Sequence, residues 1–174
     1  RPLRVLELVA RDKACEHPDK SCHGESCPLA RGFYDRLGDA REAALASHRL
    51  DRETVRQAAL AHDVCPYYLA QELARWCDVV VGDYNYYYDS SALLYALARI
   101  NQWPVAVLVD EAHNLLERAR KMYTASIEQS AFKAAGKTAP DVLKEPLKRL
   151  QREWNALNRT QTNAYQAYAE VPAR

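Results

Sequence analysis

Apolar and polar positions alternate along Leu3-Arg4-Val5-Leu6-Glu7-Leu8-Val9, a period of two with β-branched members that predicts a strand. From 11 to 28 that pattern stops. The residues there are mainly Cys, His, Pro, Asp, Ser and Gly, with no hydrophobic period, so something other than apolar burial must order the segment. Helical spacing returns over 34–46 and over 51–62, the second with Asp51 as its N-cap. A third helix is predicted over 66–76, opening with Pro66 at a position where helices tolerate proline. The runs Asp78-Val79-Val80-Val81-Gly82 and Val105-Ala106-Val107-Leu108-Val109 are of the kind buried in parallel sheets. Between them 90–100 reads as a helix behind Asp89, so strand, helix and strand form a βαβ unit. Helix follows His113, where Leu143, Leu147, Leu150, Trp154 and Leu157 recur at intervals of four, three, four and three. That stripe faces a partner, with Pro146 near the helix start or bending it. The fold class is α-rich α/β: a helical, cysteine-bearing domain, a partial parallel sheet of about three strands, and a helical extension.

Composition adds limits. The chain has 174 residues, 48% of them hydrophobic, enough for one core and a smaller appended module. Its net charge of +1 conceals a division. Residues 1–77 hold 12 basic and 12 acidic residues, 78–117 hold 1 and 6, and 118–174 hold 11 and 5. A negative middle suits a divalent metal, and a positive tail suits either a phosphate backbone or a solvated helical face. No run approaches the ~18 apolar residues of a membrane span, and no leader pattern opens the chain. The expectation is a soluble, cytoplasmic protein in a reducing compartment, making no membrane contact. A start at Arg1 that enters a strand almost at once reads as a piece of a longer protein.

The cysteines number five, an odd count whose uneven spacing favours metal binding over disulfides. Cys15, Cys22, Cys27 and Cys65 follow the spacing C-x6-C-x4-C-x37-C. Soft, anionic thiolates suit an iron–sulfur cluster, and four complete the coordination of a cubane. A four-thiolate zinc site competes, since coordination number alone does not separate the metals. His17 and His23 are spare ligands or plain surface histidines. Cys77, beside a predicted strand, belongs to the core.

The second constellation is Asp110-Glu111-Ala112-His113. An aspartate at the carboxyl end of a strand can hold Mg²⁺, and the glutamate beside it can polarise an attacking water for phosphoryl transfer. Its plain alternative is a cap for the next helix. Gly136-Lys137-Thr138 imitates the end of a phosphate loop, but Ala131 stands where that motif needs glycine. It reads as a helix C-cap at Gly136 followed by a turn at Pro140.

Taken in order, these residues resemble the XPD/DinG family of superfamily 2 iron–sulfur DNA helicases. The likeness rests on Arg11-Asp12-Lys13-Ala14-Cys15-Glu16-His17-Pro18, Cys22-His23, Cys27, Cys65-Pro66-Tyr67-Tyr68-Leu69-Ala70, Val79-Val80-Val81, Tyr84-Asn85-Tyr86 and Val107-Leu108-Val109-Asp110-Glu111-Ala112-His113-Asn114. It spans residues 3–116 and is only positional beyond, where the family's helical arch begins. The resemblance implies a 4Fe-4S cluster on Cys15, Cys22, Cys27 and Cys65, Mg²⁺ and ATP at Asp110 and Glu111, and coupling of ATP state to motion through His113. It implies 5′ to 3′ movement on single-stranded DNA, parting of duplex junctions, and DNA contacts at Arg11, Lys13 and Tyr67. A basic residue common in the family four positions after that aromatic is Gln71 here. The implied domains are 1–10 (motor strand), 11–77 (iron–sulfur cluster domain), 78–117 (motor βαβ segment) and 118–174 (start of the arch). A monomeric fragment working with the rest of the helicase polypeptide, and inactive on ATP alone, is the expectation. A zinc-bound nucleic-acid-binding module and an iron–sulfur electron carrier are the alternatives.

Overall fold

The computed structural model describes residues 2–89 and 91–167. Two compact units divide at Arg118 and Ala119.

The first unit is built on β1 (Val5–Leu8), whose alternation is real: Leu6 and Leu8 are buried while Val5 and Glu7 face outward. It is the middle strand of a three-stranded parallel sheet, flanked by β2 (Arg49–Leu50) and β3 (Val79–Gly82). The registers are Leu6 opposite Leu50 and Leu6 opposite Val80. Parallel neighbours need crossovers, and here both are helical. The first carries α1 (Arg11–Ala14) and α2 (Phe33–Leu45); the second carries α3 (Arg52–Ala61), α4 (Pro66–Leu73) and a 3₁₀ turn, Ala74–Trp76. Asp51 caps α3 by accepting from the Thr54 amide at 3.0 Å, and Pro66 opens α4, as the sequence predicts.

One face of the sheet is covered. Leu6, Leu8 and Leu50 meet Ala40, Ala44, Val55, Ala59, Val64, Leu69 and Leu73 in a single core. Alanines at the facing positions let the helices approach closely. At Gly82 the approach is tighter still: a Cβ there would stand 3.1 Å from Leu8 Cβ and 3.2 Å from the Leu8 carbonyl.

Several expectations are corrected. The third strand is Arg49–Leu50, while 105–109 pairs with no strand among the described residues. A strand is a property of a pair, and this run lies in the open with Leu108 97% exposed. The predicted βαβ unit of 78–109 therefore keeps β3 and α6 (Leu93–Asn101) but lacks its last strand, and α5 (Asn85–Tyr88) intervenes. β3 is also less buried than its apolar composition predicts, since Val79 and Val81 are exposed. After a 3₁₀ turn at Ala112–Asn114, α7 (Leu115–Met122) runs across the division between the units.

The second unit contains α8 (Gln129–Thr138) and α9 (Asp141–Thr160). Phe132 packs on Trp154 with ring centroids 5.8 Å apart, so the stripe on α9 does meet another helix. Gly136 does not cap: α8 continues through it to Thr138, at the modest cost glycine has within a helix. Pro140 is the residue before α9, and Pro146 lies within that helix.

The buried core predicts a contrast. Leu69→Ala, at a fully buried position, should cost about 2–5 kcal/mol in a denaturant titration. Leu108→Ala should leave the midpoint where it is.

Candidate metal centre and nucleotide motif

The polar segment after β1 has few apolar residues to anchor it: Ala14 is buried within it and Leu29 just beyond it. Backbone turns shape the rest. Cys15 closes α1 with its amide on the Arg11 carbonyl at 2.9 Å, and the Cys27 amide binds the His23 carbonyl at 2.9 Å. Cys65 sits one residue before α4 and makes no side-chain capping hydrogen bond there. Burial pushes the Cys65 thiol up, the nearby backbone amides of Tyr68 and Tyr67 act the other way, and Cys15 and Cys27 are charge neighbours acting in the same upward direction as burial. Cys22 is exposed and stands as a charge neighbour of Tyr68, as Cys65 and Arg11 also do. Cys15 and Cys27 are thus charge neighbours of Cys65, while Cys22 is a charge neighbour of Tyr68. Among the described residues, no three His, Cys, Asp or Glu side chains stand at metal-holding spacing. The donor set fits a thiolate-bound metal in kind: four free cysteines, one of them desolvated at the start of a helix.

Cys77 lies apart from that group. It packs against the core, and burial pushes its thiol up to about 11.

Arg11 and Lys13 are exposed on α1. Tyr67 is half-buried, edge-on to Tyr68 with centroids 5.2 Å apart, and is an electrostatic neighbour of Tyr86. Tyr86 in turn donates to the Val9 carbonyl at 2.8 Å, and burial pushes its own hydroxyl up to about 12. Tyr86 therefore ties α5 to the residue after β1. The more open rings are Tyr68 and Tyr34, joined edge-on through Phe33. Sequence reasoning passed over both, since an exposed tyrosine has no periodic signature.

Asp110, Glu111 and His113 form a local arrangement of their own, all exposed. Asp110 Oδ1 accepts the Glu111 amide at 2.9 Å, and Glu111 Oε2 lies 3.4 Å from His113 Nδ1. Glu111 has φ 51°, the left-handed region that side chains other than glycine rarely adopt. Such strained residues collect at functional sites. Two adjacent carboxylates offering free oxygens fit a hard divalent cation in kind.

Residues 4–132 match the DEAD_2 family. The chain belongs to it. The match covers both the cysteines and Asp110–His113, and it bears out the resemblance to XPD/DinG-type helicases drawn from the motifs. Regulator of telomere elongation helicase 1 of Homo sapiens is 29% identical over 124 residues, 64% of this chain and 10% of that protein. The Fanconi anemia group J protein homolog of Gallus gallus is 29% identical over 153 residues, 77% of this chain and 12% of that one. The Anopheles gambiae homolog of regulator of telomere elongation helicase 1 is 26% identical over 155 residues, 82% of this chain and 15% of its own length. The chain therefore spans between about a tenth and a seventh of these relatives. No solved structure matches. Among the described residues no helix is long and apolar enough to cross a membrane.

Because the thiolate is the nucleophile, burial and exposure set an order of reactivity. In the metal-free chain, mass spectrometry of an alkylation time course should find Cys22 modified first and Cys65 and Cys77 last. Cys77 reacting as fast as Cys22 would contradict the packing described.

Proposed function

We propose that this chain is part of an ATP-dependent 5′ to 3′ DNA helicase whose cluster domain helps to bind single-stranded DNA and separate duplex junctions. One observation carries the reading: a single family match runs without a break across both the cysteine segment and Asp110–His113. Cys15, Cys22, Cys27 and Cys65 would hold a 4Fe-4S cluster, and Asp110 with Glu111 would meet Mg²⁺ and ATP. Bound there, the cluster would supply the cross-links that a segment with few apolar residues cannot make for itself. The protein's own groups do the rest. Asp110 offers carboxylate oxygens to a hydrated cation. Glu111 orients a water for in-line attack on a phosphoryl group. His113, within reach of Glu111, links that carboxylate to the start of α7. Arg11 and Lys13 neutralise phosphates, and the aromatic run of Tyr67, Tyr68 and Tyr34 offers flat faces that accept any base without reading sequence. Residues 118–174 begin the helical arch, and the whole works in a reducing, intracellular compartment.

Anaerobic purification with iron and sulfide analysis tests the cage. Iron and sulfide should be present together, with Cys15→Ser, Cys22→Ser, Cys27→Ser or Cys65→Ser each losing them and Cys77→Ser keeping them. Zinc in place of iron would move the assignment to a structural nucleic-acid-binding module.

In the longer protein that carries this chain, Glu111→Gln should leave ATP binding nearly intact and reduce DNA-stimulated hydrolysis by orders of magnitude, read in a steady-state phosphate-release assay. Undiminished turnover would remove Glu111 from the water-positioning role.

A further inference from the structure

Two arginines bracket the cysteines without touching a thiol in any contact described. Arg56 of α3 grips Glu16 across 40 residues: Nε to Oε1 at 2.6 Å and Nη2 to Oε2 at 3.1 Å. Glu16 is the residue after Cys15, and the pair is partly shielded, at 39% and 25% exposure. Arg36 of α2 spends the two N–H bonds of one terminal nitrogen on two carbonyls, Arg31 at 2.6 Å and Asp63 at 2.7 Å. Arg31 also donates its amide to the Cys27 carbonyl at 3.3 Å, so the first of those bonds reaches the Cys27 turn. Asp63, left-handed at φ 52°, lies two residues before Cys65, so the second reaches the fourth cysteine.

We propose that Arg36 and Arg56 are positioning residues for the four-cysteine site. Arg56 fixes Cys15 through Glu16, and Arg36 sets the spacing of the Cys27 and Cys65 turns. The inference rests on the proposed metal-centre reading and goes beyond it, because it makes the helical layer rather than the metal the first source of order in the loop. The chemistry suits the task. A segment without a hydrophobic period needs links beyond apolar burial to offset its conformational entropy, and these two are polar. A guanidinium stays charged at any physiological pH, and at Glu16 it presents a planar fork that lysine cannot copy.

The experiment measures iron and acid-labile sulfide first in the unsubstituted protein, reconstituted anaerobically. Failure to take up iron there defeats the metal-centre reading itself, whatever the arginines do. With iron bound, release to a chelator is timed in Arg36→Gln, Arg56→Gln, Arg56→Lys and the swap Glu16→Arg/Arg56→Glu, with helicity followed by circular dichroism. Partners that orient metal ligands typically contribute about 10–100-fold. Release should therefore accelerate about that much in Arg36→Gln, Arg56→Gln and Arg56→Lys, and the swap should recover most of the loss. Arg56→Lys keeps the charge and carries the test if Arg56→Gln loses helicity. Arg41→Gln is the control: it breaks an ion pair of 3.1 Å between α2 and Glu72 of α4, and should lower thermal stability without hastening release. Variants of native helicity that release iron at the unsubstituted rate overturn the proposal. So does an Arg41→Gln protein that releases iron as fast as they do.

Discussion

Everything in the first unit depends on the parallel pairing of β1 with a strand on each side. Parallel strands cannot be joined by a hairpin, so the chain must leave the carboxyl end of β1, cross over, and enter each neighbour from the same end. Cys15, Cys22 and Cys27 lie in the crossover from β1 to β2, and Cys65 lies in the crossover from β2 to β3. A metal held by all four would tie two successive crossovers together. That is a larger constraint on the sheet than a hairpin knuckle, whose ligands all belong to one turn.

Much of this was legible. Alternation located β1, the Asp51 cap located the start of α3, and Pro66 located the start of α4, because each is a local cause acting within a few residues. What escaped was non-local. Arg49–Leu50 is too short to have a period, and becomes a strand only because the Val5 amide finds the His48 carbonyl at 2.9 Å. The opposite error befell 105–109, whose composition is that of a buried strand but which has no ladder to join among the described residues. Local propensity cannot distinguish the two cases, since the deciding quantity is a neighbour far away in sequence. At the candidate site the same rule holds. The chemistry of the cysteines and of Asp110-Glu111 can be read from residue type, whereas Arg36, Arg56 and the open rings of Tyr34 and Tyr68 emerge only once the chain is folded.

Cys65 shows how the local and non-local causes meet. Its place before Pro66 puts it at the start of α4, where the nearby Tyr68 and Tyr67 amides pull electrostatically toward a thiolate. Packing desolvates that sulfur and favours the thiol, and Cys15 and Cys27 add like charge in the same sense. Burial wins in the protein alone. A cation arriving among these groups reverses the balance, because it neutralises the repulsion while leaving the N–H groups in place. The opposing tendencies at one atom make the affinity of such a site depend strongly on pH, through the protons that thiols must release.

The hydrogen bond from the Tyr86 hydroxyl to the Val9 carbonyl extends this logic toward the sheet. In open α/β sheets ligands bind beyond the carboxyl ends of the strands, and Val9 and Tyr86 stand just beyond β1 and β3. Tyr86 has its hydroxyl pushed up to about 12 by burial, so it remains a donor throughout the physiological range. A link that stays protonated keeps its geometry when pH changes, so the connection between α5 and the end of β1 is set by packing rather than by titration.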